Sequence, residues 1–238
     1  YNGVNGTPLG ECHPEGLFFE FEKVLDNFYN ICYITIVIQR RSPMPPKSKI
    51  TREMILEAAY AIAREQGADQ INARSISQRL GCSTQPVLYH FATMEEIRKE
   101  VYQMADAAHG AALMQIPEGI NPMIAIGLNY IRFAYEEKHL FRMLFQSNSF
   151  SGQNLAQMLD APEILPMLEI FRREAELSME QVKFVFKSMN MLVHGYASLL
   201  ANNNMEYNEE EVIPMLEVSF MGMIGAFKME ATENEETV

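Results

Sequence analysis

Cysteine, tryptophan and long apolar runs are scarce in this sequence. Among 238 residues there are three Cys and no Trp. Cys12, Cys32 and Cys82 are scattered, so they give neither an even disulfide framework nor a paired metal-binding spacing, which is typical of a reducing compartment. The apolar run over residues 31–38 is far shorter than the roughly 20 residues of a membrane span, and basic residues follow it instead of preceding it as in a secretory signal. No later stretch reaches that length without a charge or a Pro, so we expect a soluble, cytoplasmic protein with no membrane partner.

Positive charge is also scarce. The chain has 19 Lys plus Arg against 31 Asp plus Glu, a net charge of −12, whereas binding to phosphate requires a positive surface. The charge is uneven, however. Residues 45–92 hold six basic and four acidic residues, and residues 93–238 hold ten and 22. The charge of the whole chain therefore does not exclude a nucleic-acid partner for residues 45–92.

Residues 1–43 differ from the rest of the chain. They begin with Tyr, open with Gly, Asn and Pro, and have no helical period. We hypothesise that translation starts at Met44 and that residues 1–43 are a conceptual translation of upstream DNA. Residues 39–41, Gln-Arg-Arg, can be encoded by CAA-AGG-AGG, which contains a bacterial ribosome-binding sequence. The alternative is a short, poorly ordered extension.

From Thr51 onward, apolar residues recur at three- and four-residue spacing, which predicts an all-α fold. Thr51 begins the first helix as its N-cap and Gly67 ends it. A second short helix follows Asn72 and ends at Gly81, and Ser83 caps a third. The predicted buried side of the third helix is Val87, Leu88 and Phe91. Two short helices around a Gly-containing turn are typical of a helix-turn-helix unit, although an ordinary helical hairpin has the same spacing.

The rest of the chain is predicted to be helical as well. Thr93-Met94-Glu95-Glu96 matches a capping box and opens a fourth helix to about residue 112. Further helices are predicted at about 122–136, 139–147, 163–177, 179–203 and 208–229. Residues 230–238 carry four Glu and almost nothing apolar, so we expect a solvated acidic tail. The predicted plan is an N-terminal three-helix domain over residues 44–98 and a larger helical domain over residues 99–229.

A helix-turn-helix presents its second helix to the major groove, where early side chains reach base edges and neighbouring groups hold phosphates. Gln can pair with adenine, and Thr and Pro can contact a thymine methyl group. Backbone N–H groups at helix starts are natural phosphate sites, and Lys and Arg supply charge. The predicted DNA contacts are Lys47, Lys49, Arg52, Arg74, Ser83, Thr84, Gln85, Pro86, Tyr89, His90 and Thr93.

Several motifs follow one another in this region: Thr51-Arg52-Glu53-x-Ile55-Leu56-x-Ala58-Ala59, Gly67, Ile76-x-x-x-Leu80-Gly81-Cys82-Ser83, His90-Phe91 and Met94-Glu95-Glu96-Ile97. Together they resemble the tetracycline-repressor family of bacterial transcriptional regulators. The resemblance covers about residues 51–98. It implies a homodimeric regulator, more often a repressor than an activator, that binds an operator with two half-sites and releases it when a small ligand binds the C-terminal domain. The chain departs from the family pattern at Leu88, where many members carry Tyr, and at Met94, where many carry Lys.

The predicted ligand pocket rests on the many Met and aromatic residues after Thr93, which can line an adaptable apolar cavity. An ordinary helical core has the same composition, so that alternative stays open. The candidate pocket residues for an unidentified small apolar or amphipathic effector are Met104, Tyr130, Phe133, Phe145, Phe171, Met191 and His194. His194 is either a buried histidine with its hydrogen bonds satisfied or a donor in the pocket.

The last two helices carry apolar stripes, and the resemblance implies that they pair with a second copy in a four-helix bundle. Gly195 would permit close approach of helices there. The predicted dimer residues are Val185, Met189, Leu192, Tyr196, Leu199, Leu216, Phe220, Met223 and Phe227.

A metal-binding or enzymatic function is the competing interpretation. Asp106-x-x-His109 and Glu136-x-x-His139 each put a carboxylate and an imidazole on one helix face, as in bundles that hold paired metals. A di-iron site would need two further inward Glu residues, and no Ser/His/Asp order, Gly-rich phosphate loop or Cys pair supports catalysis. We therefore expect no enzyme, metal or cofactor. A helical interaction protein that does not bind DNA remains the second hypothesis.

Overall fold

The computed structural model describes residues 50–147, 164–203 and 205–236. Within these ranges the chain is helical and contains no strand, which confirms the all-α prediction. The proposed upstream extension, residues 1–43, lies outside them. The helices are α1 (Arg52–Gln66), α2 (Ala73–Leu80), α3 (Gln85–His90), α4 (Met94–Leu113), α5 (Pro122–Glu136), α6 (Lys138–Phe145), α7 (Leu165–Ala175), α8 (Met179–Asn203) and α9 (Glu209–Glu236), with a short 3₁₀ turn at Ala68–Gln70.

The ends of α1 and α2 lie where the sequence predicts them. The Thr51 hydroxyl oxygen accepts a hydrogen bond from the Met54 backbone N–H at 3.3 Å, and the Asn72 side chain accepts one from Ser75 at 2.9 Å. Each bond satisfies a donor that the first helical turn leaves without a partner. Gly67 and Gly81 end the two helices with φ of 102° and 63°, values that favour glycine because a Cβ would be strained there.

The third helix differs from its prediction in two respects. It begins after Thr84, not Ser83, and no side chain caps it. Leu88, expected to be buried, is 61% exposed. The reason is the helical period. Val87 and Phe91 lie four residues apart on one side and fill the core, and the side chain that follows Val87 is turned about 100° away from them.

The predicted capping box at the start of α4 is only partly formed. The Thr93 hydroxyl accepts from the Glu96 N–H at 3.2 Å, as expected. The Glu96 carboxylate, however, accepts from the N–H of Ala92 at 3.1 Å and not from that of Thr93. Both bonds still hold the α3–α4 connection against the first turn of α4.

The expected acidic tail is not a separate segment over most of its length. The α9 helix continues to Glu236, so the prediction that helical structure ends near residue 229 is wrong. Glu and Ala are good helix formers, and neither Gly nor Pro follows Gly225. High charge alone therefore does not end the helix.

One ion pair joins the end of α1 to the connection between α5 and α6. Arg64 Nε donates to the Glu137 carboxylate at 2.7 Å, and a second guanidinium nitrogen contacts the other oxygen. The Glu137 side chain is only 16% exposed. Glu137 belongs to the larger helical bundle (α4–α9), and Arg64 belongs to the N-terminal unit (residues 50–93). The ion pair therefore joins the two. The His139 ring lies against Gly67 at the same junction.

Replacing Arg64 tests this junction. Arg64→Ala should lower the free energy of unfolding by about 1 kcal/mol, because it leaves a mostly buried carboxylate unpaired while solvent screens half-exposed Arg64. Arg74→Ala is the matched control, since Arg74 is exposed and has no ion-pair partner among the described residues. Chemical denaturation measures both, and equal stability of the two variants would contradict the assignment.

Candidate functional site

The exposed side of α3 is the first candidate site. Thr84, Gln85, Leu88 and Tyr89, which we call the α3 outer face, all point away from the core. Tyr89 is 77% exposed, while Val87 is fully buried. The predicted contacts Thr84, Gln85 and Tyr89 thus lie on one surface. Leu88 was not among the predicted contacts, although a 3.6-residue period counted from Val87 and Phe91 places its side chain on the exposed side of the helix.

Other predicted contacts flank the α3 outer face. Ser83 is exposed beside it, and Pro86 is half-buried in the first turn of α3. His90 is turned inward, where its Nε2 lies 3.0 Å from the Ile50 carbonyl oxygen. This bond ties the end of α3 to the segment before α1. The prediction that His90 contacts DNA is therefore corrected to a positioning role.

Two arginines near α3 are paired with carboxylates in the described part of the chain. Arg52 donates to Glu100 at 2.8 Å and contacts Glu96 at 3.5 Å, and its guanidinium lies 4.6 Å from the centroid of the Phe91 ring. The hydrogen bond from Glu100 raises the pKa of Arg52 above its ordinary value. The predicted role of Arg52 as a free phosphate contact is therefore corrected. Arg79 is likewise paired with Glu65 at 2.7 Å.

Few cations on this side remain unpaired. Arg74 and Lys99 are exposed and have no ion-pair partner within the described ranges. Lys47 and Lys49 lie outside those ranges. Thr93 is exposed, but acidic Glu95 and Glu96 occupy the first turn of α4 beside it. Phosphate binding at the start of α4 would therefore depend on backbone N–H groups close to negative charge.

The second candidate site is a group of aromatic rings in the interior of the larger bundle. We call His109, Tyr130, Phe133, Phe141, Phe145 and His194 the aromatic cluster. The His109 ring meets Tyr130, Phe133 and Phe145 edge-on, with centroids 4.9–5.3 Å apart. Four predicted pocket residues, Tyr130, Phe133, Phe145 and His194, therefore lie together. From the sequence, His109 was named only as a possible metal ligand.

Two histidines give this apolar region its polar groups. Tyr130 Oη is hydrogen-bonded to His194 Nδ1 at 2.8 Å. His109 is 93% buried, and its Nε2 has no hydrogen-bond partner in the described part of the chain. Burial lowers the pKa of His109 to about 4, lowers that of His194 and raises that of Tyr130. All three side chains are therefore neutral near pH 7.

The remaining predicted pocket residues lie elsewhere. Met191 is 62% exposed on α8, and Met104 is half-buried on α4 without packing against the core. Phe171 stacks on Phe220 with centroids 5.4 Å apart, away from the rings that surround His109. Composition alone could not separate these positions, because Met and Phe occupy core, surface and pocket alike.

Acid should destabilise the fold through His109. Its pKa is near 6.5 in the unfolded chain and about 4 in the folded chain, so between these values the unfolded chain binds more protons. The free energy of unfolding should drop by roughly 2 kcal/mol between pH 7 and pH 5. His109→Phe, which keeps a ring at this position, should remove most of that drop. Urea denaturation at the two pH values measures it, and an equal drop in both proteins would contradict the account.

The two C-terminal helices form the third candidate site. Exposed apolar side chains follow each helix at three-, four- and seven-residue multiples, and we call them the α8–α9 apolar face: Phe184, Met191, Leu199, Val218, Met221 and Met229. The Phe184 ring packs edge-on against Phe227, 5.7 Å between centroids, which joins the two stripes. Gly222 and Gly225 lie in the α9 stripe, where an added methyl group would meet no heavy atom within 4 Å.

This arrangement corrects the predicted dimer residues. Val185, Met189, Leu216 and Phe220 are buried within the chain itself, so they are not available to a partner. Leu199 is exposed, and the others are half-buried: Leu192, Tyr196, Met223 and Phe227. Each helix has two apolar sides, and the chain's own core takes up much of the predicted side.

The segment Glu209–Met229 of α9 is long and apolar enough, by length and composition, to cross a membrane. The segment contains Glu and Pro, so the sequence did not predict a membrane span there. Only 17% of its most apolar window is buried within the described part of the chain.

The two possible metal motifs do not form a metal site in the described part of the chain. No group of three His, Cys, Asp or Glu side chains lies close enough there to hold an ion. His109 is surrounded by aromatic rings, and His139 lies against Gly67.

No protein-family model matches the chain, and no curated protein sequence matches it.

Proposed function

We propose that this chain is a DNA-binding transcriptional regulator, a homodimeric repressor whose N-terminal helix-turn-helix domain is controlled by its larger helical domain. The α3 outer face is the observation that carries the proposal. A six-residue helix that buries Val87 and exposes Thr84, Gln85, Leu88 and Tyr89 has the polarity that a recognition helix requires. The resemblance of residues 51–98 to the tetracycline-repressor family supports the same function.

In this proposal α3 enters the major groove with its N-terminal end first. Gln85 offers an amide that can pair with adenine, and the Tyr89 hydroxyl can reach a base edge or a phosphate. Ser83, Pro86 and Thr93 border the same surface, and Arg74 supplies a phosphate contact. His90 and Arg52 act indirectly, since they hold α3 against α1 and α4.

The dimer partner in this proposal is a second copy of the chain. A membrane-crossing α9 is disfavoured because Glu217 lies inside its apolar stretch, where a carboxylate would be costly in a bilayer. Mid-helix Gly costs about 0.5–1 kcal/mol relative to Ala. An added methyl group at Gly222 or Gly225 would meet no heavy atom within 4 Å in the described part of the chain, so close approach of a partner helix would explain why glycine stands at these positions. A two-fold axis at this face would set two α3 helices apart, each facing one half-site.

The aromatic cluster is the proposed effector site. Its neutral polar groups, His109 Nε2 and the Tyr130–His194 pair, suit an apolar or amphipathic ligand that carries one hydrogen-bonding group. The α6 helix links this site to the N-terminal unit, because Phe141 and Phe145 belong to the cluster while adjacent Glu137 is paired with Arg64. Ligand binding would favour a dimer whose recognition helices no longer match the spacing of about 34 Å between successive major grooves.

DNA recognition is tested with a random duplex library. The full chain should enrich a sequence with two half-sites and bind it more tightly than random duplex. Gln85→Ala/Tyr89→Ala should abolish this preference, because each good base contact contributes about 1–3 kcal/mol. Gln103→Ala, at an exposed position of α4, is the control and should bind normally. Unchanged affinity and salt dependence of the double variant would refute the assignment.

Dimerisation is tested by sedimentation. The wild-type chain should be a dimer at micromolar concentration, and Val218→Glu/Met221→Glu should make it a monomer because charge would be buried in an apolar interface. Met54→Glu introduces the same charge on exposed α1 and should leave the dimer intact. A monomeric wild-type chain, or one that partitions into lipid vesicles through α9, would contradict the proposed dimer.

A further inference from the structure

Leu88 occupies an unusual position for a leucine. It is 61% exposed on α3, beside the still more exposed Tyr89. Single exposed leucines are common and need no explanation. Here, however, two large side chains are exposed next to each other on a helix of six residues. Together with Thr84 and Gln85 they form a surface that is half apolar.

The chemistry of Leu88 limits what it can contact in a DNA groove. Leucine has no donor, so it cannot bind phosphate. It lies one helical turn from Thr84, whose carbonyl oxygen accepts the Leu88 backbone N–H at 3.2 Å, so the two side chains lie on adjacent turns of the same side. The C5-methyl group of thymine is the apolar group that a base presents in the major groove. Leu88 and the Thr84 methyl group can enclose it from two sides.

The paired arginines make such contacts more important for affinity. Phosphate attraction supplies most of the non-specific binding of DNA by proteins. Arg52, Arg64 and Arg79 are all held by carboxylates of the same chain. Among the described residues near α3, Arg74 and Lys99 are exposed and have no ion-pair partner, so the three paired arginines leave a larger share of the affinity of these residues to contacts with bases.

We infer that Leu88 contacts the C5-methyl group of a thymine in each operator half-site and makes the chain selective for thymine there. The inference rests on the proposed function and goes beyond it, because it names a base and the side chain that selects it. Gln85, which directly follows Thr84 and lies about 100° around the helix from it, would read a neighbouring base pair.

The test exchanges thymine for uracil, which pairs identically with adenine and lacks only the methyl group. In the duplex selected by the wild-type chain, each thymine is replaced singly by deoxyuridine, and symmetric positions are then replaced together. Loss of one buried methyl contact should weaken binding about fourfold per half-site, and about 15-fold when both half-sites change. The effect should be confined to one position of each half-site.

Leu88→Ala connects this effect to the side chain. The variant should bind the thymine and uracil duplexes equally, with an affinity near that of the wild-type chain for the uracil duplex. Leu165→Ala, at an exposed leucine of α7, should keep the wild-type affinity and the wild-type preference for thymine. Circular dichroism checks that each variant is folded.

The outcomes separate the two proposals. If the wild-type chain selects a duplex but no thymine-to-uracil change weakens binding, or if Leu88→Ala keeps the preference, the inference is wrong and the proposed function stands. If the folded chain selects no duplex, the proposed function itself fails, and the inference fails with it.

Discussion

The burial of Val87 and Phe91 is the constraint on which the proposed binding surface depends. Both side chains are almost completely buried, and they fix the rotation of α3 about its axis. Every exposed residue of that helix, including Leu88, follows from this rotation. The His90–Ile50 hydrogen bond and the Arg52–Glu100 ion pair hold the same helix at its end and against α4. Two residues that the sequence predicts as DNA contacts, His90 and Arg52, thus also orient α3.

The distribution of charge determines how the proposed contact with DNA would gain its affinity. Net charge of −12 and paired arginines disfavour tight, sequence-independent attachment to DNA. A regulator of this kind depends on direct base contacts and on the joint binding of two copies, since linked contacts add far more affinity than either provides alone. The α8–α9 apolar face and the α3 outer face would therefore act together, although they lie at different ends of the chain. The first would hold two copies together, and the second would contact the bases.

Much of the fold follows from the sequence. Caps at Thr51 and Asn72 and glycines at positions 67 and 81 are local signals, so the bounds of α1 and α2 can be predicted from a few residues. What the sequence could not resolve is which of two apolar sides a helix turns inward. Val185 and Leu216 face the core of the chain while Met191 and Val218 face outward, and the residue types are alike. Four of the six residues of the aromatic cluster were predicted. His109 and Phe141 were not, because contact between α4, α5, α6 and α8 depends on tertiary packing, which brings His109 among rings far from it in sequence.

Hydroxyl-radical footprinting of the full chain on the duplex that it selects is the most direct measurement of the central claim. Two copies, each with α3 in a major groove, should protect two patches of backbone on one face of the DNA, with centres about one helical turn or 34 Å apart. Substitution of Gln85 and Tyr89 should remove both patches together. A folded chain that protects no duplex, or that gives a single patch or uniform protection without sequence preference, would contradict the account.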